Sequence, residues 1–485
     1  MRTTDTAAGV DFRAQDGRRS SQAVGRAVFA EAAGAADASL SAAIERHKDW
    51  RKAYLSPVRK LVEAGARSGK DALRIAGEGL AAVHRNLVFL RGGEETPLLD
   101  AVTAGSGGFD TGSLSGKGER LREVVVPYRG AALRGDALLR QLDEWVARGV
   151  VERSCVEAVT KVVRNPDWLD LSDVGFVLLG AAAEMGPLEA LCAWGADVVA
   201  VDLDGPAVWD RVLGYAAAGS GTVRFPETRG RAGADLLAQT PEIAAWLRSF
   251  DRPLVVGSYA YADGSTFLRL AGALDAIATT LRRERADVSF AYLATPTDVF
   301  AVPAEVVERS RSRATASFGR AVRGVTRAKL FAPNYPGTVD GENGRTWGIA
   351  DALVPQQGPN YALAKMLQRW RAIVAREEGT LSSANVAPAT RTRSVVKNKV
   401  LAAAYRGAGP FRVEVFEPAT SRALMAALLV RDLRDPSAAA RPETTLDHPY
   451  DLFVEGAAHG GLWTMPYAPR SVLPLAAGLG VLRRR

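Results

Sequence analysis

The sequence is poor in metal- and redox-type side chains. Its 485 residues include only two cysteines, Cys155 and Cys192, and four scattered histidines, His47, His84, His448 and His459. Two cysteines cannot build a disulfide framework, and no Cys/His/acid cluster stands at metal-ligand spacing, so reduced thiols and no metal are expected. Met1 to Arg19 is polar and carries acids before any apolar run, unlike a secretory leader. No apolar run approaches the ~18–20 residues that span a bilayer. The longest stretch of that kind, Val472 to Leu482, would reach only about 16 Å as a helix. It reads as a terminal segment docked on the protein, with peripheral membrane contact as the other reading. A formal charge of +8 is modest for this length. With no basic stripe interleaved with aromatics, nucleic acid is not an expected partner. A cytoplasmic setting follows from these absences, with membrane association only through that tail.

What is present suits a soluble globular chain, 47% hydrophobic and 24% charged. At about 100–200 residues per domain the length predicts two or three domains. Residues 1–35, rich in Ala, Gly, Ser and Arg without clear period, are expected to form a disordered arm. Residues 36–167 read as a helical amino-terminal region, interrupted by a loop where glycines cluster from Gly105 to Gly118. After Pro166 the pattern changes. Val174 to Leu179 is a continuous apolar run suited to a buried parallel strand. The small-residue turn Gly180-Ala181-Ala182-Ala183-Glu184-Met185-Gly186 follows, then a helix-length segment to Trp194 and a second strand, Asp197 to Val201, ending at Asp202. This is a β-α-β unit. Gly180 and Gly186 let the backbone approach a pyrophosphate at a helix amino terminus. Asp202 can accept both adenosine ribose hydroxyls and repels a 2′-phosphate, which favours NAD over NADP.

Strand and helix continue to alternate. Strands are expected at Pro253–Tyr259 and Val288–Ala294, with helices at Pro241–Phe250 and Leu268–Arg283. The predicted class is therefore α/β, a doubly wound parallel sheet (Rossmann fold) over 168–432. Residues 300–357 break the rhythm and read as an insertion, a lid or wall of the substrate site. Its segment Arg309 to Lys329 carries Arg311, Arg313, Arg320, Arg323 and Arg327 without an acid, suiting an acidic substrate or an anionic surface. Then comes Asn360-Tyr361-Ala362-Leu363-Ala364-Lys365. A tyrosine and a lysine four apart share one helix face, and a nearby ammonium favours the phenolate, fitting the tyrosine for proton transfer. Ser383 to Thr392 reads as a strand leading into a hydroxyl-rich loop, Phe411 to Phe416 as a last strand, and 433–485 as a carboxy-terminal extension.

These pieces, in this order, resemble the short-chain dehydrogenase/reductase superfamily in a divergent, extended form. The resemblance covers about 173–432. It rests on Gly180…Gly186, Asp202, Tyr361-x-x-x-Lys365, and Asn385-Val386-Ala387-Pro388 with Thr390 and Thr392 beyond it. It implies that Tyr361 is the acid/base and that Lys365 binds the nicotinamide ribose and depresses the tyrosine pKa. It implies further that Pro388, Thr390 and Thr392 meet the nicotinamide amide and Asp235 the adenine, with Ala182, Glu184 and Met185 in the cofactor turn. Three departures stand out. Glu184 replaces the family's middle glycine. Ser258-Tyr259-Ala260-Tyr261 stands where Asn-Asn-Ala-Gly is usual. Gly348 and Ile349 occupy the places of the usual serine, so Thr297 or Thr295 becomes the substitute hydroxyl, with Gln356 and Gln357 as further donors to substrate. The expected activity is NAD(P)-dependent interconversion of an alcohol and a carbonyl on an acidic or hydrophobic small molecule, in a homo-oligomer. The other readings are a nucleotide-binding module without redox turnover, and an epimerase, dehydratase or lyase that retains NAD.

Overall fold

The computed structural model describes residues 8–314 and 330–482. Arg320, Arg323, Arg327 and Lys329 of the basic segment lie outside them. Six strands run parallel in the spatial order Thr222–Thr228, Asp197–Val201, Gly175–Leu179, Leu254–Ser258, Val288–Ala294, Ser382–Val386. Counted along the chain this is 3-2-1-4-5-6, the order of a dinucleotide-binding doubly wound sheet. The cause is legible in the strands. Gly175–Leu179 and Leu254–Ser258 are buried at every position, as a sheet covered on both faces requires. Val177 and Leu179 face one core, with the Ser265–Glu284 and Pro359–Glu377 helices. Phe176 and Leu178 face the other, with Leu188–Ala193 and Pro418–Arg434. Val201, Leu179 and Ser258 pair in register, so Asp202, Gly180 and Tyr259 leave the sheet at one level.

Several expectations give way here. Among the described residues the expected arm is ordered: Gly9–Phe12 is a strand and Ser21–Gly34 a helix whose Val24, Val28 and Phe29 are buried. Ser20 caps it by accepting from the Ala23 N–H at 3.3 Å. The amino-terminal region is not purely helical, and it shares one core with the sheet. Of the glycine-rich loop, Asp110–Ser115 is an antiparallel edge strand beside Thr222–Thr228. The strand expected at Phe411–Phe416 is absent. Arg412 sits at φ 65°, the left-handed region that breaks an extended run, and only an isolated bridge joins Phe416 to Thr390.

The extra regions clamp the helix that carries Tyr361. Asp275, on Ser265–Glu284, receives Arg371 Nε at 2.7 Å and lies 2.7 Å from Nε2 of His84, on the amino-terminal Gly69–Asn86 helix. These buried partners hold the carboxyl far below its usual range against the opposing effect of burial. Removing one partner of such a buried pair costs about 3–5 kcal/mol. Gly79 lets the Trp370 ring lie directly on the same amino-terminal helix, where any Cβ would overlap it. The 300–357 insertion forms a separate three-stranded antiparallel sheet, Val299–Pro303, Thr346–Asp351 and Thr338–Asp340. It packs against the Leu55–Arg67 helix and, among the described residues, reaches the cleft only through its last ones.

Candidate functional site

A cleft of about 1190 Å³ opens at the carboxyl ends of the parallel strands, beside the point where strand order reverses. That is where open α/β sheets bind ligands, and the volume is at the upper end of small-molecule sites, about 300–1,000 Å³. Every residue singled out from the sequence lines it except Gly186.

At one end is the Gly180 turn. Gly180 takes φ 93°, and a Cβ there would overlap the backbone of Ala260, so only glycine fits. The N–H groups of Gly180 and Ala181 both donate to Val201 O, at 2.8 and 3.1 Å. Asp202 fastens the turn by accepting from Ala182 N–H at 2.8 Å and from Leu203 N–H at 2.9 Å. Burial raises its pKa, those backbone donors and Arg211 opposing. Arg211, missed in the sequence, donates to Ala182 O at 3.0 Å and lines the cleft beside Asp202. Asp235 spends one carboxylate oxygen on Leu237 and Ala238 N–H, at 2.8 and 3.1 Å, which leaves the other for a ligand. Gly186 lies behind the turn, with ordinary negative φ and no contact tighter than 3.4 Å for a Cβ, so neither space nor conformation demands glycine there.

Glu184, the acid at the middle-glycine position, points across the cleft and accepts from Arg393 N–H at 2.8 Å. Arg393 opens the short helix Arg393–Lys397, whose Lys397 reaches Asp263 at 3.4 Å on the opposite wall. The segment is thus strapped over the cleft from both sides. Beneath it, Thr390 donates to Pro388 O at 2.8 Å and meets Ser421 at 2.6 Å, which fixes the loop. Thr392 is half-buried and hydrogen-bonded to Ser394 at 3.0 Å.

The half-buried Tyr361 stands at the middle of the cleft, near the amino end of the Pro359–Glu377 helix. Its ring lies 5.7 Å from that of Phe267 and 6.3 Å from that of Tyr261. Thr295, Gln357 and Thr297 line the cleft beside its hydroxyl. Thr295 and Thr297 stand just past the Val288–Ala294 strand, 2.9 Å apart, and Gln357 holds Thr297 through its carbonyl at 2.8 Å and its hydroxyl at 3.1 Å. Gly348 and Ile349, by contrast, lie in the insertion's own sheet. Tyr54, also missed, accepts from Gly358 N–H at 3.1 Å and donates to Val354 O at 3.0 Å, setting the turn that carries Gln356 and Gln357. Lys365, one turn on, donates to Leu293 O at 3.2 Å and to Gln368 at 3.1 Å.

The pKa relation differs from the expected one. Burial pushes the Tyr361 phenol up to about 12, against the lowering pull of its hydrogen bonds to Thr295, Gln357 and Thr297. Burial brings Lys365 down to about 8, with the buried Asp298 carboxylate opposing. The lysine does not draw the tyrosine into the neutral range, and the phenol stays protonated there.

No family model matches the chain, and no curated protein matches it. Among solved structures it is similar to a 3-oxoacyl-[acyl-carrier protein] reductase from Brucella melitensis in complex with NAD. Identity is 16%, covering 60% of this chain and 97% of that one, at TM-score 0.33. A short chain dehydrogenase/reductase family oxidoreductase from Burkholderia thailandensis is 15% identical, covering 63% and 98%, at the same score. Superpositions that loose carry no weight by themselves. The fold stands on the 3-2-1-4-5-6 strand order, that of doubly wound dinucleotide-binding sheets.

Proposed function

We propose that the chain is a nicotinamide-dinucleotide-dependent oxidoreductase that interconverts an alcohol and a carbonyl. One observation carries the reading: a phenol ringed by Thr295, Thr297 and Gln357 shares a single cleft with the Gly180 turn and Asp202. The residues fit a dinucleotide. The Gly180 cradle has no room for a Cβ, Asp202 and Asp235 are available to ribose and adenine, and Glu184 is occupied by Arg393. Lys365 would hold the nicotinamide ribose, and Pro388, Thr390 and Thr392 the amide. NAD is favoured by Asp202, whose charge opposes a 2′-phosphate. When bound, the cofactor accepts or supplies the hydride.

This chain's residues handle the proton. A phenol protonated at neutral pH gives its proton to a carbonyl oxygen that is being reduced, and in reverse its phenolate takes one from an alcohol. Thr295 and Thr297 donate to the same oxygen as charge builds on it. In the oxidation direction the carbinol carbon would give up a hydride, which a bound dinucleotide would accept. The O–H proton passes to the Tyr361 phenolate, which must first have lost its own proton to solvent, and the product is the carbonyl. The module without turnover drew its support from Glu184 and from the missing serine. Both lose force, since Glu184 is turned to Arg393 and two threonine hydroxyls stand at Tyr361.

Titration of the protein with NADH and NADPH, followed by nicotinamide fluorescence, tests the reading. Binding is expected for both, tighter for NADH. Binding of neither would sink it, and tighter NADPH would overturn the role given to Asp202.

A further inference from the structure

The cleft continues past Tyr361 into a region of different character. Among the described residues, every wall position contributed from 401 to 476 is uncharged, and only Tyr405 carries a polar side-chain atom other than a sulfur. Ala404, Tyr405, Phe411, Met465, Val472 and Leu473 belong to this wall. Tyr405 and Tyr361 line the same cavity, so the apolar wall and the reacting hydroxyl share one space. The charged wall residues come from other stretches of the chain, chiefly the Gly180 turn and the strap, with Arg51 beside Gly358 and Lys365 one turn from Tyr361.

Close backbone packing joins the two helices that wall the chamber. The helices Lys399–Arg406 and Pro469–Leu482 touch main chain to main chain: a Cβ on Gly407 would overlap Ala476 O, and one on Gly480 would overlap Ala403 O. Arg470 anchors the start of the second helix to the insertion, donating to Asp351 at 2.7 and 2.6 Å and to Leu353 O at 2.7 Å. The carboxy-terminal helix is therefore a wall of the site. Two of the arginines that suggested an acidic substrate are engaged elsewhere. Arg309 is paired with Glu152 at 2.5 Å, and Arg313 donates to Thr464 at 2.6 Å. Neither lines the cleft.

An apolar chamber opening onto a proton donor favours an occupant that removes hydrocarbon from water. Resting on the oxidoreductase reading above, we propose that the substrate is a hydrophobic secondary alcohol or ketone with an uncharged alkyl tail. Its tail fills the chamber between the two helices, and its oxygen lies at Tyr361. A carboxylate or phosphate on the tail would be desolvated there without a partner.

The probes are alkan-2-ols and alkan-2-ones of about four to about twelve carbons, each buried methylene being worth about fourfold in affinity. Calorimetry measures alkan-2-ol binding to the dinucleotide-free protein, turnover gives kcat/KM, and NADH binding is measured separately. Affinity and kcat/KM are expected to climb about fourfold per methylene until the chamber is full, and an ω-carboxylate is expected to abolish the gain. NADH binding with alkanol affinity independent of length would overturn the substrate assignment alone. Preference for the carboxylated chain would do the same. Climbing alkanol affinity without NADH binding would instead overturn the redox reading, and with it the status of these molecules as substrates.

Discussion

At the Gly180 end of the cleft, backbone N–H groups and the carboxylates of Asp202 and Asp235 are in place to hold a polar ligand. At the Ala476 end the described wall residues carry no charge. The first half is built from residues at strand ends, each at a short, fixed offset from its strand. The second is assembled from 352–354, 401–413, 462–465 and 469–476, stretches far apart in sequence that only the fold brings together. Tyr361 stands at the junction. A dinucleotide needs the same groups at the same spacing in any chain, so its half is dictated by chemistry. An apolar tail needs only hydrocarbon and shape, which many sequences supply.

The largest effect on this comparison is expected at the junction. Thr295→Val combined with Thr297→Val removes both hydroxyls at Tyr361 and should lower kcat about 100-fold while leaving NADH affinity in place. An unchanged kcat would take the threonines out of the mechanism. Gly180→Ala strikes the nucleotide half: strain at φ 93° of about 1–3 kcal/mol, with overlap at Ala260, should weaken NADH binding roughly tenfold or more. Alkanol binding to the dinucleotide-free protein should barely change. Gly480→Ala does the reverse. It forces the two helices apart, at about 1–3 kcal/mol for overpacking, and should cost about tenfold in long-chain affinity with NADH binding retained. If either glycine variant damaged both halves equally, the division would fail.

The smallest effect is on pH. Burial disfavours the charged amine, so Lys365 is charged below about pH 8 and neutral above it. Tyr361, pushed up to about 12, stays protonated throughout that range. Ketone reduction is therefore expected to fall a few-fold as pH rises through about 8. The limb should vanish in Lys365→Met. A limb that persists there belongs to another group.

The same contrast explains what could be read from the sequence. The parallel strands were legible because burial on both faces forces unbroken apolar runs, such as Val288–Ala294. Thr295 and Thr297 were legible because the insertion begins after them, leaving them at the strand end. The first helix, Ser21–Gly34, was not, because alanine fills its core face and gives little periodic contrast. Phe411 to Phe416 alternates like a strand for a different reason. Phe411 and Val413 point into the chamber, while Glu414 is buried in contact with Tyr128 and Arg148. Arg51 and Tyr54 reach the site from 300 residues away, and no local pattern announces them.

The most direct test is a single turnover with Tyr361→Phe. NADH is bound first, a long-chain ketone is added, and loss of reduced nicotinamide absorbance is followed. The account predicts NADH affinity within about twofold of the unaltered protein and hydride transfer slowed by about 10²–10⁴-fold. Transfer at the unaltered rate, with NADH bound, would contradict it.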